Sequence, residues 1–142
     1  MPQPEAARIN GNWKALFICP NPKIIKELGP LLHHFLPAFT SHEVSSYPTR
    51  HQIADLLTTQ QPSLCFLEVS DPADRALALI PELLRVDSKL PIVVVLPSND
   101  PEVVLRCLRQ GASDFLMLPF TIEQVDGALQ KIARLHPGRT KN

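Results

Sequence analysis

Five short apolar runs recur along this chain, each followed by turn residues and then by a segment with helical spacing. The runs are KALFIC (14–19), EVSSY (43–47), SLCFLEV (63–69), PIVVVL (91–96) and SDFLML (113–118). Most are almost continuously apolar, which fits strands buried on both faces better than strands with one wet side. Such strands need cover above and below, and the helical segments between them supply it. The repeat therefore predicts an α/β domain of doubly wound (βα)5 form, a five-stranded parallel sheet in a three-layer sandwich.

The punctuation between runs is specific. Asn21 reads as an N-cap with Pro22 at the first helical position, and Pro30 is expected to kink or split that helix before it ends ahead of Pro37. Thr49 and Gln52 form a capping box ahead of Ile53, Leu56 and Leu57. Asp71 is expected to cap a third helix with Pro72 at its first position, an apolar stripe at Leu77, Ile80, Leu83 and Leu84, and a bend at Pro81. Asp100 and Pro101 open a fourth helix that closes at Gly111, with Val104, Cys107 and Leu108 facing inward. Thr121 and Gln124 suggest a second capping box, ahead of Val125, Leu129 and Ile132. Fifteen prolines in 142 residues would suit a disordered chain, but here they mark element boundaries.

Composition narrows the function classes. Fourteen basic and 14 acidic residues cancel, so no global field draws the chain to nucleic acid or to an anionic membrane. The longest apolar run is far too short to insert in a bilayer, and the first dozen residues lack the apolar core of a secretory signal. Cys19, Cys65 and Cys107 stand far apart among apolar neighbours, as buried free thiols in a reducing cytoplasm would. His33 and His34 are adjacent and face different directions on a helix, a poor metal pair. The expected organisation is a flexible tail over 1–12, one domain over 13–135, and a tail or the start of a linker over 136–142.

In such a sheet, ligands bind at the carboxyl ends of the strands. The residues there are Cys19, Pro20 and Asn21; Glu68, Ser70 and Asp71; Leu96, Pro97 and Ser98; and Leu118, Pro119 and Phe120. This rim is poor in chemistry. It has no clustered glycines for a phosphate cradle and no G-x-S-x-G elbow. Its oxygens are too few to converge on a hard cation. Neither a cofactor nor a metal is expected, and Asp71 and Ser98 read more simply as helix-capping residues than as ligands.

The string RQGASDFLMLPF and the capped helix after it resemble the end of a CheY-like receiver domain of two-component response regulators. PSLCFLEV resembles the third strand of that module and LPIVVVLP its fourth, and the agreement runs from about Lys14 to Leu135. The resemblance implies phosphoryl transfer to an aspartate ending the third strand. A pair of acids after the first strand would help hold Mg²⁺, with a hydroxyl after the fourth strand and a lysine after the fifth. At those positions this chain carries Glu68, then Cys19 and Pro20, then Leu96, then Leu118. One carboxylate beside a thiol and a proline cannot complete an octahedral oxygen shell. Leucines offer no donor to phosphoryl oxygens. Phe115 matches the aromatic that changes rotamer in signalling receivers and, with Leu96 in place of the hydroxyl, is expected to be static packing.

The longer string DPEVVLRCLRQGASDFLMLPF looks like the receiver-like N-terminal domain of TadZ/CpaE pilus-assembly proteins, in which an ATPase domain usually follows. The resemblance implies a non-catalytic pseudo-receiver acting through protein contacts. Receivers commonly signal through the face of the fourth helix, fifth strand and fifth helix. On that face Leu105, Arg106, Arg109, Gly127 and Lys131 are the candidates for a homodimer or partner surface. Two other readings remain open at this point. One is a phosphorylatable receiver using Glu68 or Asp71. The other is a flavodoxin-like ligand binder, against which the first loop offers no phosphate cradle.

Overall fold

The computed structural model describes residues 12–135. The two tails expected from the sequence, apart from Asn12, lie outside the described residues. Five strands, β1 (Lys14–Ile18), β2 (Thr40–Val44), β3 (Leu64–Glu68), β4 (Ile92–Leu96) and β5 (Asp114–Met117), alternate with five helices. The helices are α1 (Pro22–Phe35), α2 (Arg50–Gln60), α3 (Asp74–Val86), α4 (Pro101–Gln110) and α5 (Ile122–Leu135). All strand pairs are parallel, in the order β2-β1-β3-β4-β5. The expected doubly wound α/β fold is the observed one.

Alternate strand residues divide the core in two. Phe17, Phe66, Val93, Val95 and Leu116 face α1 and α5. Leu16, Ile18, Cys65, Leu67 and Val94 face α2, α3 and α4. Phe17 and Phe66 are direct cross-strand partners and their rings stack with centroids 5.2 Å apart. Full burial of such side chains stabilises by roughly 1.5–3 kcal/mol each relative to exposure, so the central strands anchor the sheet.

Most helix signals appear where the sequence puts them. Asn21 accepts from Lys23 N–H at 3.0 Å, and Pro22 opens α1. Both halves of the Thr49–Gln52 box are formed. Asp100 caps α4 by accepting from Val103 N–H, and Gly111 closes it at φ 119°. Asp100, rather than Ser98, thus supplies the α4 cap.

Several expectations are corrected. β2 runs over Thr40–Val44, three residues before EVSSY. It pairs only with β1, Lys14 opposite Thr40 and Ile18 opposite Val44. As an edge strand it buries no residue completely, so hydrophobicity does not mark it. Pro30 neither splits nor ends α1. The carbonyl it leaves without a helical donor belongs to solvent-exposed Lys26, where water can serve it, while Leu28, Leu32 and Phe35 hold the helix to the core. α3 begins at Asp74 with Ala73 at the cap position and no side-chain cap bond. Asp71 lies in the preceding rim loop, whose Ser70 is held by Glu68. In α3, Leu79 is also buried, beside Leu77, Ile80 and Leu83. In α5, Thr121 accepts from Gln124 N–H as expected, but the Gln124 carboxamide reaches Met117 N–H and the Pro119 carbonyl. It closes the β5–α5 loop.

Candidate functional site

The strand register brings the expected rim residues to one edge of the sheet. Ile18 lies opposite Leu67, so Cys19 and Glu68 end neighbouring strands. Glu68 lies opposite Val95, one residue before Leu96. Leu118 N–H donates to the Leu96 carbonyl at 3.0 Å. Cys19, Glu68 and Leu96 are buried, whereas Pro20 and Leu118 are half-buried.

Glu68 is 3% exposed, and with Ser63 it is one of two polar residues buried among the described residues. A carboxylate taken so far out of water needs donors. Its Oε1 accepts from the backbone N–H of Asn21 at 2.8 Å, and its Oε2 from the Ser70 hydroxyl. Its own carbonyl accepts from the Tyr47 hydroxyl at 2.7 Å. One residue therefore touches the β1–α1, β2–α2 and β3–α3 loops. The sequence reading placed Glu68 correctly and missed all three partners. Two are reached through backbone atoms, and Tyr47 was assigned to a strand it does not join.

The Cys19 thiol donates to the Phe66 carbonyl at 3.9 Å and feels the charge of this carboxylate. Burial, then the Glu68 and Glu43 charges, push its pKa from 9.0 up to about 12, against a lowering by the backbone at Glu68. Burial likewise raises Cys65 and Cys107. All three are free and buried, as expected. Because the folded pKa of Cys19 exceeds the unfolded one, its contribution to stability is complete below pH 9 and fades as pH rises toward about 12. Urea midpoints measured across this alkaline window should fall with pH, and Cys19→Ala should flatten the decline. A profile unchanged by that substitution would place the titration elsewhere.

Beside the rim lies an open cleft of about 320 Å³ between the β3–α3 and β4–α4 loops. Ser70, Asp71, Leu96, Ser98 and Asp100 are among its lining residues. Glu68 is not among them. Among the described residues no three His, Cys, Asp or Glu side chains gather as a metal site. His33 packs on Phe39 with ring centroids 4.5 Å apart.

On α4 the sequence assigned one residue to the wrong face. Leu108 is 38% exposed, beside Leu105 at 46%, and Cys107 is the helix's one fully buried residue. α4 rests on a shallow contact, so its inward stripe narrows to Cys107 with half-buried Val103 and Val104. Arg106, Arg109 and Gly127 are exposed and Lys131 is half-buried. Ile122, at the start of α5, is a further exposed apolar residue at 47%. Phe115 is half-buried against the core that faces α2, α3 and α4.

No family model matches the chain. Among curated proteins, a C4-dicarboxylate response regulator named DctR from Bacillus subtilis (strain 168) is 29% identical over 76 residues. That stretch is 54% of this chain and 34% of DctR. The chain spans about a third or less of the length of the first curated relatives it matches. Among solved structures, a CheY-like protein, TadZ, from Pseudomonas aeruginosa PAO1 superposes with a TM-score of 0.72 at 18% identity. The match covers 87% of this chain and 94% of that one. A protein named for pilus assembly, CpaE, from Burkholderia thailandensis E264 gives 0.67 at 16% identity, over 86% and 98% of the two chains.

Proposed function

We propose that this domain, whose fold is that of a CheY-like receiver, is a pseudo-receiver that works through protein contacts without phosphoryl chemistry of its own. The observation that carries the reading is the state of the Glu68 carboxylate. Both oxygens already accept hydrogen bonds from within the domain, and Cys19, Pro20, Leu96 and Leu118 stand where a receiver needs acids, a hydroxyl and a cation. A phosphoryl group there would have to displace Asn21 and Ser70 and would meet apolar side chains instead of donors. Incubation with acetyl phosphate and Mg²⁺ should leave the intact mass unchanged. A phosphate adduct on Glu68 or Asp71 would overturn the reading in favour of an active receiver.

The partner surface in this proposal is the α4–β5–α5 face, where Leu105, Arg106, Arg109, Gly127 and Lys131 lie. Exposed Leu105 and Leu108 flanked by arginines have the composition of an interface centre with a charged rim. The partner is a second copy of the domain or, by likeness to TadZ and CpaE, a component of a pilus-assembly system in the cytoplasm, with an ATPase domain in a longer natural chain. Sedimentation should find the parent dimeric and Leu105→Glu monomeric at the same concentration. If both sediment alike, this face is not a self-association surface. Among the described residues no helix is long and apolar enough to cross a membrane.

A further inference from the structure

The hydrogen bonds of Glu68 have a consequence beyond the loss of phosphoryl chemistry. Three loops end at the same residue through different atoms: the β1–α1 loop through Asn21 N–H, the β3–α3 loop through the Ser70 hydroxyl, and the β2–α2 loop through the Tyr47 hydroxyl. Tyr47 and Ser70 are half-buried, so these bonds are partly shielded from competing water. Burial also raises the Tyr47 phenol above its ordinary range, assisted by the Glu68 and Cys19 charges and opposed by hydrogen bonding from Ser70. The β5–α5 loop is closed separately, by Gln124 on Met117 and Pro119.

Tyr47 is flanked by Ser46 and Pro48, and both line a cleft of about 360 Å³ between β2 and α2. His42 and Val44 from β2 and Gln52, Asp55 and Leu56 from α2 complete much of its wall. We infer that Glu68 is a positioning residue that joins the three loops into one unit and, through Tyr47, fixes the wall of the β2–α2 cleft. The carboxylate holds two of the loops and the backbone carbonyl of the same residue holds the third, so residue 68 ties the sheet's centre to a surface at its β2 edge. This goes beyond the pseudo-receiver reading, because the coupling holds whichever face meets a partner.

The domain has one tyrosine, so the link to the β2 side has its own spectroscopic reporter. Amide hydrogen exchange by mass spectrometry on the full chain tests the coupling. In Glu68→Ala, exchange should rise by at least about tenfold at residues 19–21 and 69–73, which lose their bonds to the carboxylate, and also at 45–49, whose Tyr47 bond to the residue 68 carbonyl loosens as the released rim shifts. Residues 118–121, held by Gln124, should not change. The ultraviolet titration of Tyr47 in the same variant should shift downward as its phenol becomes hydrated. Tyr47→Phe is a milder variant for the case in which Glu68→Ala does not fold. It should loosen 69–73 as well as 45–49. An increase confined to 69–73 in Glu68→Ala with an unmoved tyrosine titration would overturn the inference. So would an increase confined to 45–49 in Tyr47→Phe.

Discussion

Glu68→Ala should lower the unfolding free energy by about 2–3 kcal/mol, because it removes a charge-assisted bond to Asn21 N–H and a second to Ser70. The exposure of Asn21 limits the loss, since water can reach part of the freed N–H. Glu68→Gln should cost about 1 kcal/mol or less. The amide oxygen still accepts from Asn21, and the amide nitrogen can donate to a reversed Ser70 hydroxyl. Glu68→Asp should fall between the two. It keeps the charge but withdraws the carboxylate by one methylene from Asn21. Urea denaturation of the three variants would test the order alanine, aspartate, glutamine, from most to least destabilised. Aspartate matching the parent would mean that the charge at this site matters and its reach does not.

The expected order separates two accounts of the residue. A glutamate in a phosphoaspartate position can be read as a permanent mimic of the phosphorylated form. A mimic needs receptors for its charge, and under the pseudo-receiver proposal the positions that would supply them hold Leu96 and Leu118. The donors that Glu68 does use come from Asn21 and Ser70, and its backbone holds Tyr47. The carboxylate thus joins the β1–α1 and β3–α3 loops through donors of the domain itself.

The fold was legible because its signals are local. Continuous apolar runs mark β1, β3, β4 and β5, and the caps at Asn21, Thr49 and Asp100 mark three helix starts. Legibility fails where packing decides. β2 has one strand neighbour and no fully buried residue, so its position follows from register with β1 and not from its own composition. Leu108 has the spacing of an inward residue on α4, but that helix sits too shallowly to bury it. Asp71-Pro72 has a cap's sequence, yet the rim loop carrying Ser70 to Glu68 delays the helix to Asp74. At the site, strand position puts Glu68, Cys19, Pro20, Leu96 and Leu118 at the rim, and the resemblance to receivers groups them as one pocket. The partners of Glu68 follow from neither, because a backbone N–H bears no side-chain signature and Tyr47 reaches the rim only after β2 ends early.

Gly111→Ala should destabilise the domain by about 2 kcal/mol, whereas Gly127→Ala should stabilise it by up to about 1 kcal/mol. Gly111 sits at φ +119°, where an L side chain is strained wherever space exists. Space is also short: a Cβ there would meet Leu84 Cδ1 at 2.5 Å. That atom ends a half-buried side chain, which can rotate at the cost of some packing on α3, so the clash adds to the backbone cost without making the fold impossible. Gly111 also donates its N–H to the α4 carbonyls it caps, so a distorted residue 111 frays the last turn of a helix with one fully buried anchor. Gly127 differs on each count. It lies within α5 at ordinary helical φ, and an added Cβ would meet nothing within 4 Å. Alanine there reduces the freedom of the unfolded chain and disturbs no intramolecular contact. The two glycines therefore predict thermal midpoints that move in opposite directions, the Gly111 variant falling by roughly 5–10 °C. If a second copy packs closely on α5, Gly127→Ala should raise the midpoint of dilute monomer while weakening self-association. A stabilised monomer with unchanged self-association would place the interface away from this glycine.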